Sequence, residues 1–121
     1  MTDEEKTQAG RDLARKLFSG APRAASTAPP PAAFTDYTNR HLFGDVWQQS
    51  DLSLEERELI TCTILVALYR ENEQRVHFVG AKNAGIPREK IEGMITHAAH
   101  YAGWPCAATA HRVLNEVWPA E

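Results

Sequence analysis

The chain has 121 residues, 43% of them hydrophobic and 24% charged, which is enough for one globular domain and too little for two with separate cores. Thirteen Lys and Arg against sixteen Asp and Glu leave a formal charge of -3, so no broad positive field is available to collect nucleic acid or an anionic membrane surface. The most apolar uncharged run, Leu59 to Tyr69, is far short of the roughly 20 residues that span a bilayer, and the acidic opening MTDEEK has no secretory signal, so a cytoplasmic protein without nucleic-acid or membrane partners is expected.

Thr2 and Glu5 have the spacing of a capping box, and Leu13, Leu17 and Phe18 recur at helical intervals, which predicts a helix from Thr2 to about Phe18. Its polar middle suggests loose attachment. Ser19 to Ala33 reads SGAPRAASTAPPPAA, where Pro29, Pro30 and Pro31 favour extended polyproline geometry, as in a linker or wrapping arm. The expected division is therefore an N-terminal helix and Pro/Ala-rich arm over 1–34 and a helical domain over 35–121. A second helix is predicted from near Thr35 to about Gln48, with Tyr37, Leu42, Phe43, Val46 and Trp47 as its apolar stripe.

Ser53 and Glu56 form another capping box and open a helix reaching Tyr69 or Arg70. Leu59, Ile60, Ile64, Leu65, Val66, Ala67 and Leu68 leave it almost no polar side, which predicts the most buried helix of the fold. The next helix covers about Asn72 to Ala84 and stops at Gly85, with Ile86 where a Schellman closure places an apolar residue. Pro87 starts a helix carrying Ile91, Met94, Ile95, Ala98 and Ala102, which stops at Gly103 with Trp104 in the same arrangement. Pro105 starts the last helix, ending near Trp118. No segment alternates with period two, so the fold class is all-α. A central helix apolar nearly all round asks for more cover than one such subunit supplies, which predicts an oligomer.

His77 stands four residues after Glu73 and three before Gly80, so its face continues into Gly80, Ala81 and Ala84 and admits a close neighbour. Such a junction can tune an imidazole for proton transfer, and it equally fits a half-buried histidine satisfied by Glu73 with no chemical task. Glu58 lies at the edge of the apolar run, where a carboxylate is stable only if paired; it is a candidate acid or base, or a partner for an arginine or its own helix dipole. His97 and His100, with Tyr101 beside them, are a poor metal pair for want of an acidic or thiolate neighbour, and no metal site is expected. Cys62 and Cys106 form no CxxC dithiol, and a small buried thiol is the ordinary reading of each.

FGDVW at 43–47, LSLEERELIT at 52–61, the run from Glu71 to Ile95 and HYAGWPCAATA at 100–110 occur in one order. Over Phe43 to Ala110 the chain resembles the carboxymuconolactone decarboxylase family. The resemblance implies a helical bundle of the alkylhydroperoxidase D-like type, assembled as a trimer or hexamer and needing no cofactor. In the peroxidase branch of that fold, a CxxC pair precedes a histidine served by an upstream glutamate. His77 and Glu58 match these last two, while Arg70 and Glu73 stand where the cysteines would be, removing the nucleophile.

The resemblance thus implies a carboxy-lyase acting on a small carboxylated lactone or keto acid, of the kind met in aromatic-compound breakdown. Loss of carbon dioxide leaves an enolate, so such a site must anchor carboxylates and return a proton to carbon. His77 is the expected general acid, with Glu58 or Glu73 orienting it, and Arg57, Arg70, His97 and Tyr101 are the expected substrate contacts. The alternatives are another redox route, as in a peroxiredoxin-like member, or a small-molecule-binding or assembly protein without turnover.

Overall fold

The computed structural model describes residues 1–23 and 28–121. The central part of the expected arm, residues 24–27, lies outside them. Helix α1 (Asp3–Leu17) is followed by α2 (Ala32–Asp36), which runs into a π-helical stretch at Tyr37–Phe43 and a 3-10 turn at Val46–Gln48. Four longer helices complete the all-α fold: α3 (Leu54–Ala67), α4 (Glu71–Asn83), α5 (Arg88–Ala102) and α6 (Trp104–Val117). Among the described residues none is in a strand, and no helix is long and apolar enough to cross a membrane.

Local signals explain most boundaries. Both capping boxes form in full: Thr2 and Ser53 accept from the backbone N–H three residues on, and Glu5 and Glu56 return the bond to the cap. Helix α4 closes as a Schellman motif, with Ile86 N–H donating to Ala81 O at 3.1 Å, Gly85 N–H to Lys82 O at 3.1 Å, and Gly85 at φ +87°. Helix α3 ends earlier than expected, at Ala67, in a closure of the same pattern built on Tyr69 at φ +62°. An aromatic residue is costly in this left-handed region. The Tyr69 hydroxyl accepts a bond from Thr109 Oγ1 of α6 at 2.9 Å.

Four expectations are corrected. The single helix over 35–48 is instead three short pieces, since the chain starts α2 at Ala32 directly after Pro31 and then widens into π-turns that end with Phe43 buried. Helix α1 is firmly seated. A Cβ at Gly10 would lie 1.8 Å from the Asn39 carbonyl oxygen and one at Gly44 2.1 Å from that of Lys6, so two glycines let the backbones touch where an apolar stripe was sought. Helix α3 is not the most buried element. Glu58, Cys62 and Val66 face inward, but Ile60, Ile64 and Leu68 form an outward stripe, 44%, 50% and 58% exposed in the subunit, while α4 and α6 each bury five residues. Gly103 makes no second Schellman turn: its φ of +116° with ψ of 146° is a positive-φ conformation that favours glycine but lies outside the left-handed helical region, and exposed Trp104 turns its ring to His100, 5.7 Å away.

The core lies between α3, α4, α5 and α6, where Cys62, Val66, Phe78, Ile91, Ile95, Val113 and Leu114 are fully buried. Two ion pairs fix α6 to the start of α4, Arg112 with Glu71 at 2.7 Å and Arg75 with Glu116 at 2.5 Å, and Arg75 also meets Glu71 within α4 at 3.5 Å. The opposite side of α4 receives the end of α1.

Candidate functional site

Glu58 is one turn into α3 and 0% exposed, a position that an unpaired carboxylate cannot hold cheaply. Its Oε1 lies 2.6 Å from His77 Nδ1 on α4. An ionised carboxylate only accepts, so this bond places a hydrogen on Nδ1. His77 Nε2 makes no hydrogen bond among the described residues, and the side chain keeps 17% of its surface open. One ring nitrogen is thus anchored in the core and the other carries no hydrogen bond among the described residues.

Gly80 is what lets the two helices meet here. A Cβ on it would lie 3.1 Å from Glu58 Oε1 and 3.3 Å from Cε1 of Phe18, tighter than ordinary contact with both. The small face of α4 anticipated from Gly80, Ala81 and Ala84 therefore houses a carboxylate and an aromatic ring. Cys62, one turn after Glu58, completes the buried group: its Sγ is 3.4 Å from the His77 carbonyl oxygen and 3.9 Å from Glu58 Oε1. Burial, with the Glu58 charge beside it, pushes the thiol well above the ordinary thiol range, which favours its protonated form. Glu58 Oε2 is buried with no partner among the described residues.

The other expected residues are dispersed. Glu73 shares the His77 face but is exposed and forms no ion pair among the described residues, so of the two carboxylates it is Glu58 that bonds the imidazole. Arg70, the residue capping α4, is likewise exposed and free of an ion pair among them; it precedes His77 by two helical turns, about 10 Å along the axis. Arg57 is largely committed, holding Asp51 at 2.5 Å and the Gln49 carbonyl at 3.2 Å through Nη2, with Nε buried and unpaired. His97 and Tyr101 stack on each other on α5 with ring centres 4.9 Å apart, and neither contacts His77 or Glu58. His100 Nδ1 is bonded to the Thr96 carbonyl at 2.8 Å, and its ring lies against Trp104 with 5.7 Å between centres.

Phe18 was not anticipated here. Its ring meets the imidazole edge to face, 5.0 Å between centres, and continues to Phe43 at 5.7 Å and from there to Trp47 at 5.4 Å. The i to i+4 spacing of Glu58 and Cys62 could have revealed the thiol, but no local pattern announces that α1 ends against α4.

The profile of the carboxymuconolactone decarboxylase family matches residues 32–116, which hold Glu58, Gly80 and His77 and leave Phe18 outside. A 4-carboxymuconolactone decarboxylase of Acinetobacter baylyi is 33% identical over 85 residues, 70% of this chain and 63% of that protein. A nitrosuccinic acid decarboxylase of Metarhizium robertsii is 32% identical over 68 residues, 56% of this chain and 48% of that protein. The matched stretch is less than two thirds of the length of either relative.

Proposed function

The chain belongs to the carboxymuconolactone decarboxylase family, and from that premise we propose that it is a carboxy-lyase for a small acid carrying more than one carboxylate, with His77 as proton donor and Glu58 as the group that holds it. The observation that carries the reading is the 2.6 Å bond from His77 Nδ1 to a wholly buried carboxylate, with Nε2 unengaged. The relatives named above are decarboxylases of two different small acids, which supports the reaction class and leaves the acid open.

In this mechanism the bond between carbon and the departing carboxylate breaks and its electron pair passes into an adjacent acceptor group, a carbonyl as an enolate or a nitro group as a nitronate. His77, whose Nε2 has first taken up a proton from solvent, then delivers that proton to the carbon as carbon dioxide departs. Glu58 stabilises the positive charge on the ring before transfer and fixes which nitrogen faces the substrate. Arg70 is the better anchor for a remaining carboxylate, being exposed on the same helix and free of an acidic partner among the described residues, whereas Arg57 would have to share its guanidinium with Asp51. His97 and Tyr101 could serve this site only from another subunit. The outward stripe of Ile60, Ile64 and Leu68 supports the proposal of a homo-oligomer, since a soluble subunit seldom leaves such a row in water. Light scattering checks that part, with a mass near 13.5 kDa counting against it.

The test is consumption of 4-carboxymuconolactone and of nitrosuccinic acid by the purified chain, followed by carbon dioxide release. Turnover of either that is lost in His77→Ala supports the reading. Turnover that persists in this variant removes His77 from the role, and no release from any small polycarboxylic acid removes the lyase.

A further inference from the structure

The group that covers His77 comes from ahead of the family match. Phe18 closes α1, and its ring fills a niche bounded by His77, Phe43 and the bare Cα of Gly80. It is fastened from α4: Asn83 Nδ2 donates to the carbonyl oxygens of Leu17 at 2.7 Å and Ser19 at 2.9 Å, on either side of Phe18. The Leu17 carbonyl is among those that a helix end leaves without partners, so one amide both satisfies α1 and ties it to the helix bearing His77. Leu17 is fully buried and the close contact of Gly10 with Asn39 holds the rest of α1. Phe18 also lines an open cavity of about 530 Å³, together with Ala14, Arg15, residues 19–23 and Val76. It therefore stands both against the imidazole and at the edge of a solvent-filled space.

We propose that Phe18, latched by Asn83, is a positioning residue for His77: it keeps the imidazole aligned on Glu58 and walls it off from the cavity beyond. The inference rests on the reading of His77 as a proton donor, and it adds that the segment before residue 32 completes the site. A ring bonded through Nδ1 alone can still rock about its side-chain torsions, and an aromatic edge against it blocks that motion. Excluding water from the same side strengthens the Nδ1 to Oε1 bond, because a hydrogen bond gains strength as the local dielectric falls. Removing the phenyl group opens a path from the cavity to the ring.

The experiment uses the full chain and a readout that needs no turnover. Diethyl pyrocarbonate modifies accessible imidazoles, and peptide mass spectrometry gives a rate for each of the five histidines separately. Phe18→Ala is expected to raise the His77 rate by about tenfold relative to exposed His97, and Asn83→Ala by about threefold, as local opening exposes the ring. Phe18→Leu, which keeps most of the volume, should stay within about twofold of the parent and carries the test together with Asn83→Ala if Phe18→Ala fails to fold. Nitrogen-15 spectra of the His77 ring should report one tautomer, protonated on Nδ1, in the parent and in Phe18→Leu, and an averaged ring in Phe18→Ala. An unchanged His77 rate in a folded Phe18→Ala overturns the proposal, as does an equal acceleration at His97, His100 and His111. A parent that turns over no acid but shows the selective His77 acceleration would sink the lyase and leave the positioning role standing.

Discussion

His77→Ala and Glu58→Gln, alone and together, test the buried pair most directly. Removing the imidazole leaves the Glu58 carboxylate at 0% exposure with both oxygens short of partners, apart from a Cys62 thiol at the long distance of 3.9 Å. Breaking a buried pair in this way costs about 3 to 5 kcal/mol, and the partial exposure of His77 places this case near 3. With an unfolding entropy of about 2.1 cal/mol/K per residue, 121 residues give roughly 0.25 kcal/mol/K, so Tm should fall by about 12 °C. Glu58→Gln keeps an oxygen for Nδ1–H and exchanges a charge-assisted bond for a neutral one, a loss of about 1 kcal/mol. In the double variant no unpaired charge is buried. It should therefore regain about 1 to 2 kcal/mol over His77→Ala, visible in thermal unfolding as a Tm roughly 4 to 8 °C higher. On the decarboxylation assay each single variant should lose about 10²-fold or more in kcat. Additive stability losses, with the double variant melting below His77→Ala, would refute the idea that the two groups stabilise one another.

Other substitutions separate packing, binding and titration. Gly80→Ala places a methyl group 3.1 Å from Glu58 Oε1 and 3.3 Å from Phe18, and should cost about 1 to 3 kcal/mol in denaturant unfolding while lowering kcat, whereas the same change at Gly93, which meets nothing nearby, should cost no stability. Arg70→Ala should leave the unfolding free energy within about 0.5 kcal/mol of the parent and raise KM for a dicarboxylic substrate with kcat little changed, since it anchors charge and does not transfer a proton. Cys62→Ser with Cys106→Ser should leave turnover in place, because burial favours the protonated form of the Cys62 thiol; loss of activity in a folded double variant would reinstate thiol chemistry. The carboxyls of Glu5 and Glu56 are held below their ordinary value of 4.5 by the cap N–H groups of Thr2 and Ser53, that of Asp36 below 3.8 by Arg40, and that of Glu116 below 4.5 by Arg75. Depressed folded values mean stability that is present above the ordinary range and lost as pH falls through the lowered ones, so these groups should give a Tm that declines only below about pH 4.5.

What was legible in the sequence was local or carried by family likeness. Capping boxes at Thr2 and Ser53, the stop at Gly85 and the absence of period-two alternation depend on neighbours within a few residues, and all reappear as read. The pairing of Glu58 with His77 spans 19 positions, so spacing alone favoured Glu73, which lies one turn away. Burial decided between them: a carboxylate inside the core gains most from the bond, while one in water gains little. The break into π-turns before Phe43 and the inward and outward faces of α3 were decided by what each segment packs against, and an all-apolar pattern carries no mark of which side that is. The docking of α1 was the least legible feature, because glycine-mediated backbone contact at Gly10 and a single amide at Asn83 leave no periodic trace. Only the folded chain puts Phe18 beside His77, 59 positions further on, since close packing joins surfaces by shape and not by their order in sequence.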